Sequence, residues 1–402
     1  MKDERLYLQY TRFFLIACAT VVVPVVSLNT MFSIRSLGGG NVVLSASQWQ
    51  EKTRGITYAP PFAPNRQFKM IRLFDRLPGV NTVVFGSSTA WGITQEMFPR
   101  GMTVYNFAQT GNQISTVITE ADFLTRSSYR NLRFYVIPLD WATGSLYVAL
   151  EPGRDDLTPP TVDTLQARKV PLYQQVQDAL SLPRVKSLVE LLISIVRGPD
   201  PLAGLYAILL RQYSDDYLCD DGTPAKDFDI IFRGKCVGFR YDGSYTYGDS
   251  EPVSARRAET LVANAIVASS KYAVSLIGSG GDPYRPILDR LSVIAAEMQK
   301  RGGRIILILP PLLPGLERAL LEAPSTAIAL RRTKQRLDVW AKEQKLTIID
   351  AGPSERYGCS PEEFIDEHHP LPACYRRVFA RYWGDARVRT SLGLWAVANG
   401  SE

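Results

Sequence analysis

From Phe13 to Phe32 no residue is charged, and a run of that length lets a helix cross a hydrocarbon core about 30 Å thick. Lys2, Arg5 and Arg12 precede it, with Asp3 and Glu4 among them. Only the basic residues set orientation, so residues 1–12 are expected to stay cytoplasmic and the chain beyond the span to lie outside. A cleaved signal peptide is the alternative. Against it, the run is long and no obvious small-x-small cleavage site closes it before Arg35. The segment 13–33 is therefore read as an uncleaved, single-pass signal anchor, with Pro24 and Asn29 weakening it relative to a leucine-rich span.

Past the span the period changes. Ser36 to Asn41 (SLGGGN) reads as a flexible spacer and Ala59 to Asn65 (APPFAPN) as an extended linker, within a lead-in over 34–78. Short β-branched runs follow at Asn81–Gly86, Thr103–Ala108 and Leu132–Pro138, with a helix expected over Ser115–Leu124. That alternation predicts parallel strands joined by helices. Between 151 and 252 it stops. Pro-rich stretches, an amphipathic helix near Val185–Val196, and turn pairs at Asp221-Gly222 and Asp242-Gly243 within or near a hairpin over Phe228–Tyr247 suggest an insertion or lid.

The pattern resumes near Ser254. Ile287, Leu291, Ile294, Ala295 and Met298 share a helical face, and Gly302-Gly303 stops that helix. Strands are expected at Arg304–Leu309 and Leu346–Asp350, with a helix at Thr326–Lys342 between them. A last helix is expected from Pro372 towards Val388, with Gly384 able to end it early. The whole predicts a three-layer α/β/α, doubly wound, five-stranded parallel sheet, its first part over 79–150 and its second over 253–402.

The net charge of +6 on 402 residues is mild, and no segment has the Lys/Arg density of a nucleic-acid arm, so nucleic-acid binding is set aside. Of five cysteines, Cys18 lies in the span and four lie beyond it, an even number for a disulfide-permitting compartment. Proximity favours Cys219–Cys236 and Cys359–Cys374, one of three possible pairings. No Cys-x₂-Cys knuckle is present, so neither a metal nor any other cofactor is expected.

Candidate chemistry falls at the carboxyl ends of the expected strands, where open parallel sheets bind ligands. Gly86-Ser87-Ser88-Thr89 ends the first, Asn106-Phe-Ala-Gln-Thr-Gly111-Asn112 ends the second, and Asp366-Glu-His-His369-Pro370 precedes the last helix. A serine hydroxyl needs a base, and the base needs a carboxylate to fix its tautomer. The chain has only two histidines, both here. The spacing of Asp366 and His369 lets one tight turn join them, with His368 as the adjacent competitor for the base. Asp140-Trp141 at the third strand's end, Trp91 and Ser87 are possible substrate-lining residues, as is His368. An acidic strand-end residue is as often a helix cap, and Trp91 as often packs in a core. The tyrosines from Tyr241 to Tyr247 suit hairpin packing better than a polysaccharide platform.

These three segments together resemble the SGNH (GDSL-like) hydrolase superfamily, whose flavodoxin-like sheet carries its motifs in this order. Gly86-Ser87-Ser88 resembles its first block, which implies Ser88 as nucleophile and leaves Ser87 where the family has aspartate. Asn106–Gly111 resembles the second block, whose glycine donates a backbone N–H to the oxyanion. Asp366-x-x-His369-Pro370 resembles the block that supplies orienter and base. The third block departs from the family: Ile137-Pro138-Leu139-Asp140 lacks the glycine and the oxyanion-binding asparagine. The oxyanion hole is then expected from the N–H groups of Ser88 and Gly111, with Asn112 as a further donor.

With the anchor, the resemblance is to periplasmic, inner-membrane-anchored proteins that acetylate exported polysaccharides or D-alanylate teichoic acid. It implies acyl transfer, most simply acetyl transfer, to a cell-surface polysaccharide, with a membrane-bound O-acyltransferase as partner. A carbohydrate esterase with the same triad is the second expectation, and a non-catalytic scaffold the third.

Overall fold

The computed structural model describes residues 2–34, 40–57, 65–127, 129–142, 146–147, 216–226, 228, 236–248 and 251–386, with isolated positions from 180 to 202 and residue 388. The chain forms two compact units, Met1–Ile71 with Pro160–Gly238, and Arg72–Pro159 with Phe239–Glu402. Much of the expected insertion at 151–252, including most of the amphipathic segment Val185–Val196, lies outside the described residues.

The first unit opens with α1 (Lys2–Ile34). Its stretch Gln9–Ser27 has a mean hydropathy of 1.7 and no buried share, long and apolar enough to cross a membrane. Pro24 sits inside without ending the helix. The expected spacer is in part helical, because α2 (Gly40–Thr53) begins at its end. The reason is periodic: Val43, Ala46, Ser47 and Gln50 recur at helical spacing and are all buried. Positions 36–39 of the spacer and 59–64 of the linker lie outside the described residues, and α3 (Asn65–Arg76) starts at the last linker residue. In the same unit a strand at Pro224–Lys226 pairs antiparallel with Tyr217–Leu218 and parallel with Ile56–Thr57. The expected Asp221-Gly222 turn joins the antiparallel pair, where the Gly222 N–H donates to Cys219 O. The Cys219–Cys236 disulfide closes this region, and Cys359–Cys374 closes a loop in the second unit. Loops of this length, once closed, stabilise a fold by roughly 3 kcal/mol each in the chain-entropy account. Cys18 is free and exposed.

The second unit is built on a parallel sheet of five strands: β1 (Thr82–Val84), β2 (Val104–Asn106), β3 (Phe134–Pro138), β4 (Arg304–Leu309) and β5 (Thr347–Asp350). Across the sheet the order is β2-β1-β3-β4-β5. Thr82 is in register with both Val104 and Phe134, Phe134 with Arg304, and Thr347 with Ile306. All of β1, β2 and β3 is buried, as continuous apolar runs in a parallel sheet should be.

Helix α4 (Ile114–Arg126) connects β2 to β3 and packs on a later helix, Arg285–Lys300. Before that helix, here α7, stand α5 (Ala255–Ala265) and α6 (Lys271–Gly278), both capped by serines. After β4 come α8 (Leu316–Glu322) and α9 (Pro324–Glu343), and α10 (Pro372–Gly384) ends at the expected glycine. The chain steps from β1 outward to β2, then returns past β1 to β3. Adjacent connections thus leave β1 in opposite directions, and the crevice beyond its carboxyl end is where such sheets bind ligands.

Candidate active site

Residue Ser88 stands at the first position of a 3₁₀ turn immediately after β1. Gly86 makes that turn possible. Its φ is +126°, and a Cβ there would sit 2.9 Å from the Pro138 ring at the end of β3, so only glycine fits without strain. Ser87 caps the turn by accepting the Thr89 N–H through its hydroxyl, at 3.3 Å. The turn is pinned from three directions. Tyr375 donates to Thr89 O at 2.7 Å from α10. Tyr247 reaches Ser88 O at 3.4 Å. Asn106, fully buried at the end of β2, donates to Ala90 O and Ile93 O, both at 2.8 Å, and accepts the Ala108 N–H at 3.0 Å.

Residues Asp366 to Pro370 form a tight loop ahead of α10. The Ile365 N–H donates to His369 O at 3.1 Å, and Phe364 bridges Pro370. Within it Asp366 Oδ1 accepts the backbone N–H groups of His368 and His369, both at 2.9 Å. Its Oδ2 lies 2.7 Å from His369 Nδ1. A carboxylate only accepts, so the His369 proton belongs on Nδ1, and Nε2 is left to accept. Nε2 lies 2.8 Å from Ser88 Oγ, at which distance the hydroxyl donates to it. Serine, imidazole and carboxylate thus form one continuous hydrogen-bonded chain at the carboxyl end of the sheet.

Burial works against ionisation of Asp366, but the hydrogen bond from His369, the two neighbouring imidazoles and the His368 N–H outweigh it, holding the carboxyl well below the usual range. His368 behaves differently. Burial and then the charge of His369 depress its pKa to about 4, against a partial opposing pull from Asp366. It is therefore neutral near pH 7, and its 3.3 Å approach to Asp366 Oδ1 is no ion pair there. Tyr272 OH and Lys271 Nζ lie 3.2 and 3.4 Å from its Nδ1, and its ring lies against that of His369 with centroids 4.2 Å apart.

This difference sets a pH response. An unfolded His368 binds its proton near pH 6.5, while the folded one resists until about 4. Between those values the unfolded state holds more protons, so stability falls as the pH drops through that window. Asp366 adds in the same direction at lower pH, its stabilisation being lost as the pH falls through its depressed value. Chemical denaturation of His368→Gln against the parent should show a smaller loss of stability from pH 6.5 to 4, by on the order of 2 kcal/mol. Parallel pH profiles for the two proteins would contradict the assignment.

The remaining expected residues take varied places. The N–H groups of Ser88 and Gly111 meet no protein acceptor among the described residues. Asn112 commits one side-chain N–H to Glu120, at 3.1 Å, and Gln109 donates to the same buried carboxylate at 2.9 Å. Ser87 Oγ lies 3.5 Å from Asp140 Oδ2, and Asp140 and Trp141 are both buried. Trp91 is only 8% exposed. Its ring stacks on Tyr245 at 4.4 Å and its N–H donates to Ala108 O, so it packs beneath the serine turn. The tyrosines follow the packing alternative: Tyr245 is buried against Trp91, and Tyr241 lies under the Arg76 guanidinium.

Sequence reasoning did not single out Tyr272 or Tyr375, and it read Tyr247 for hairpin packing rather than for the serine turn, since nothing along the chain relates them to Ser88 or His368. As for a cation, donor atoms of Asp366, His368 and His369 lie within 4.8 Å of one another. A metal there would have to break the Asp366–His369 hydrogen bond beside the Lys271 ammonium, so the set fits a proton-relay chain better. No family model matches the chain, and no curated protein matches it.

Proposed function

We propose that the second unit is an acyl-transferring serine enzyme of the SGNH type on a doubly wound α/β/α sheet, with Ser88 as nucleophile, His369 as base and Asp366 as orienter. The observation that carries this reading is the linear Ser88–His369–Asp366 hydrogen-bonded chain, with spacings of 2.8 and 2.7 Å. The strand order β2-β1-β3-β4-β5 and the direction reversal at β1 support the fold assignment.

In the first half-reaction His369 Nε2 takes the Ser88 proton as Oγ bonds to the carbonyl carbon of an acyl donor. The oxyanion is held by the free N–H groups of Ser88 and Gly111. Leu139 stands where the family has asparagine, and an aliphatic side chain cannot donate. The side-chain donor that is missing is worth roughly 3 kcal/mol of barrier where it is present. The donor's C–O bond then breaks and its oxygen leaves with the proton from His369. In the second half a sugar hydroxyl gives its proton to His369, its oxygen bonds to the acyl carbon, and Ser88 Oγ leaves and recovers the proton.

The exposed apolar stretch of α1 and the two disulfides support a place outside the cytoplasm, at the bacterial inner membrane. There a membrane-bound O-acyltransferase would supply the acyl group and an exported polysaccharide would accept it. Incubation with a small activated acetyl ester, followed by acid quench and peptide mass spectrometry, should place one acetyl group on the peptide containing Ser88. Added soluble oligosaccharide should discharge it faster than water does. Discharge at the same rate with and without sugar would favour the esterase, and no adduct together with no turnover of the ester would favour the scaffold.

A further inference from the structure

The first unit carries a feature that neither the anchor nor the triad uses. At the isolated described positions of the segment 180–202, Val185, Val189, Leu192, Ile193 and Val196 are all helical. Their spacing of four, three, one and three places them on one face of a helix with 3.6 residues per turn. The Arg197 N–H donates to Ile193 O, as such a helix requires. All five are apolar and none is buried: Val189, Ile193 and Val196 are 46%, 44% and 59% exposed. Leu180 and Leu202, at either end, are 52% and 80% exposed. An apolar stripe of this kind left open to water marks an interaction surface.

What covers it follows from where it is. The same compact unit contains α1, whose Gln9–Ser27 stretch is long and apolar enough to cross a membrane. A unit tethered by that helix meets the bilayer surface at high effective concentration, whereas a soluble partner must be found by diffusion. The charges also suit lipid. Between 184 and 197 the sequence has Arg184, Lys186 and Arg197 against Glu190 alone, a basic excess that suits an anionic interface. We propose that the stripe Val185–Val196 lies in the membrane surface beside the anchor, a second contact that holds the first unit against the leaflet. The inference rests on the anchor and not on the acyl-transfer reading.

The test uses the full chain with Cys18→Ser, so that the remaining native cysteines are all in disulfides. An environment-sensitive fluorophore is attached at Val189→Cys or Ile193→Cys. The control is Ile328→Cys on α9, an exposed apolar position (69%) in the second unit. The proteins are reconstituted in liposomes of phosphatidylethanolamine and phosphatidylglycerol. Because both test positions are exposed, labelling leaves the core intact, and the intact disulfides and flotation with the vesicles check each sample. Emission at 189 and 193 is expected to shift to the blue and to be quenched by acyl-chain spin-labelled lipid, while 328 keeps its aqueous emission. Adding Ser88→Ala should change none of this.

Aqueous emission at both stripe positions in floated samples would overturn the proposal. A blue shift insensitive to spin-labelled lipid would also overturn it, because protein rather than lipid would then be the cover. Failure of the full chain to float would remove the tether and the proposal with it.

Discussion

Replacement of Ser88 by alanine, or of His369 by alanine, should each reduce turnover of a small acetyl ester by about 10⁴- to 10⁶-fold. Without the hydroxyl there is no atom to carry the acyl group. Without the imidazole, the hydroxyl 2.8 Å from Nε2 has no base. Because the three groups act on one proton, the losses should not add, and the double variant should be little worse than either single one. Asp366→Asn keeps the loop's shape but presents an amide that can donate towards Nδ1, disturbing the tautomer that Oδ2 imposes at 2.7 Å. Its loss should be on the order of 10⁴-fold. Ser87→Ala should be mild, since its hydroxyl accepts from Thr89 and faces Asp140 rather than His369. Steady-state kinetics on the purified variants settles each point. An inactive Ser87→Ala beside an active Ser88→Ala would move the nucleophile by one residue. Normal turnover in all four folded variants would leave the scaffold reading standing.

The second large effect should come from a residue that never touches the substrate. Asn106→Ala would leave Ile93 O and the Ala108 N–H without the side chain that now pairs them, while Ala90 O would keep only the Ile93 N–H at 3.1 Å. Each orphaned group costs about 1–3 kcal/mol, so a combined loss of roughly 2–5 kcal/mol is expected, lowering the melting temperature by about 10 °C. Asn106→Asp should be no better, because a carboxylate would face two carbonyl oxygens in place of the amide that donates to both. Ala90 and Ile93 end the turn that presents Ser88, so the fraction still folded at low temperature should also turn over more slowly, by on the order of 10²-fold. Thermal denaturation and kinetics at a temperature well below the transition separate the two effects. A variant with unchanged melting and activity would show that the clamp does not hold the turn.

How much of this was legible along the chain depends on how local each feature is. A run such as Arg304–Leu309 declares itself because a strand buried on both faces must be nearly continuously apolar. The last helix stops at Gly384, within the end its sequence allowed, with Asp385 extended after it. The disulfides join cysteines already close in sequence, and Asp366 reaches His369 across a single turn. The charge-free stretch within α1 is readable because a membrane-crossing helix needs no tertiary partner to set its composition. The helix at Gly40–Thr53 was hidden by its glycine-rich approach. Only burial of Val43, Ala46, Ser47 and Gln50 makes that face a stabilising one.

The sequence by itself determined the elements and the chemistry available: which stretches are strands, which side chains can attack, accept or orient, and which segment is apolar enough for a bilayer. Tertiary structure decided what those residues do to one another. The order of the strands sets β1 between β2 and β3, so that Ser88, Asn106 and Pro138 converge from three separate stretches of chain. Packing made Trp91, a possible substrate-lining residue by sequence, a support beneath the turn, and depressed the His368 pKa while bringing His369 to the serine hydroxyl. It also drew residues 160–238 into one unit with the N-terminal helix. Pattern along a chain reports burial and local geometry, whereas hydrogen bonds between residues hundreds of positions apart depend on how elements cross in space.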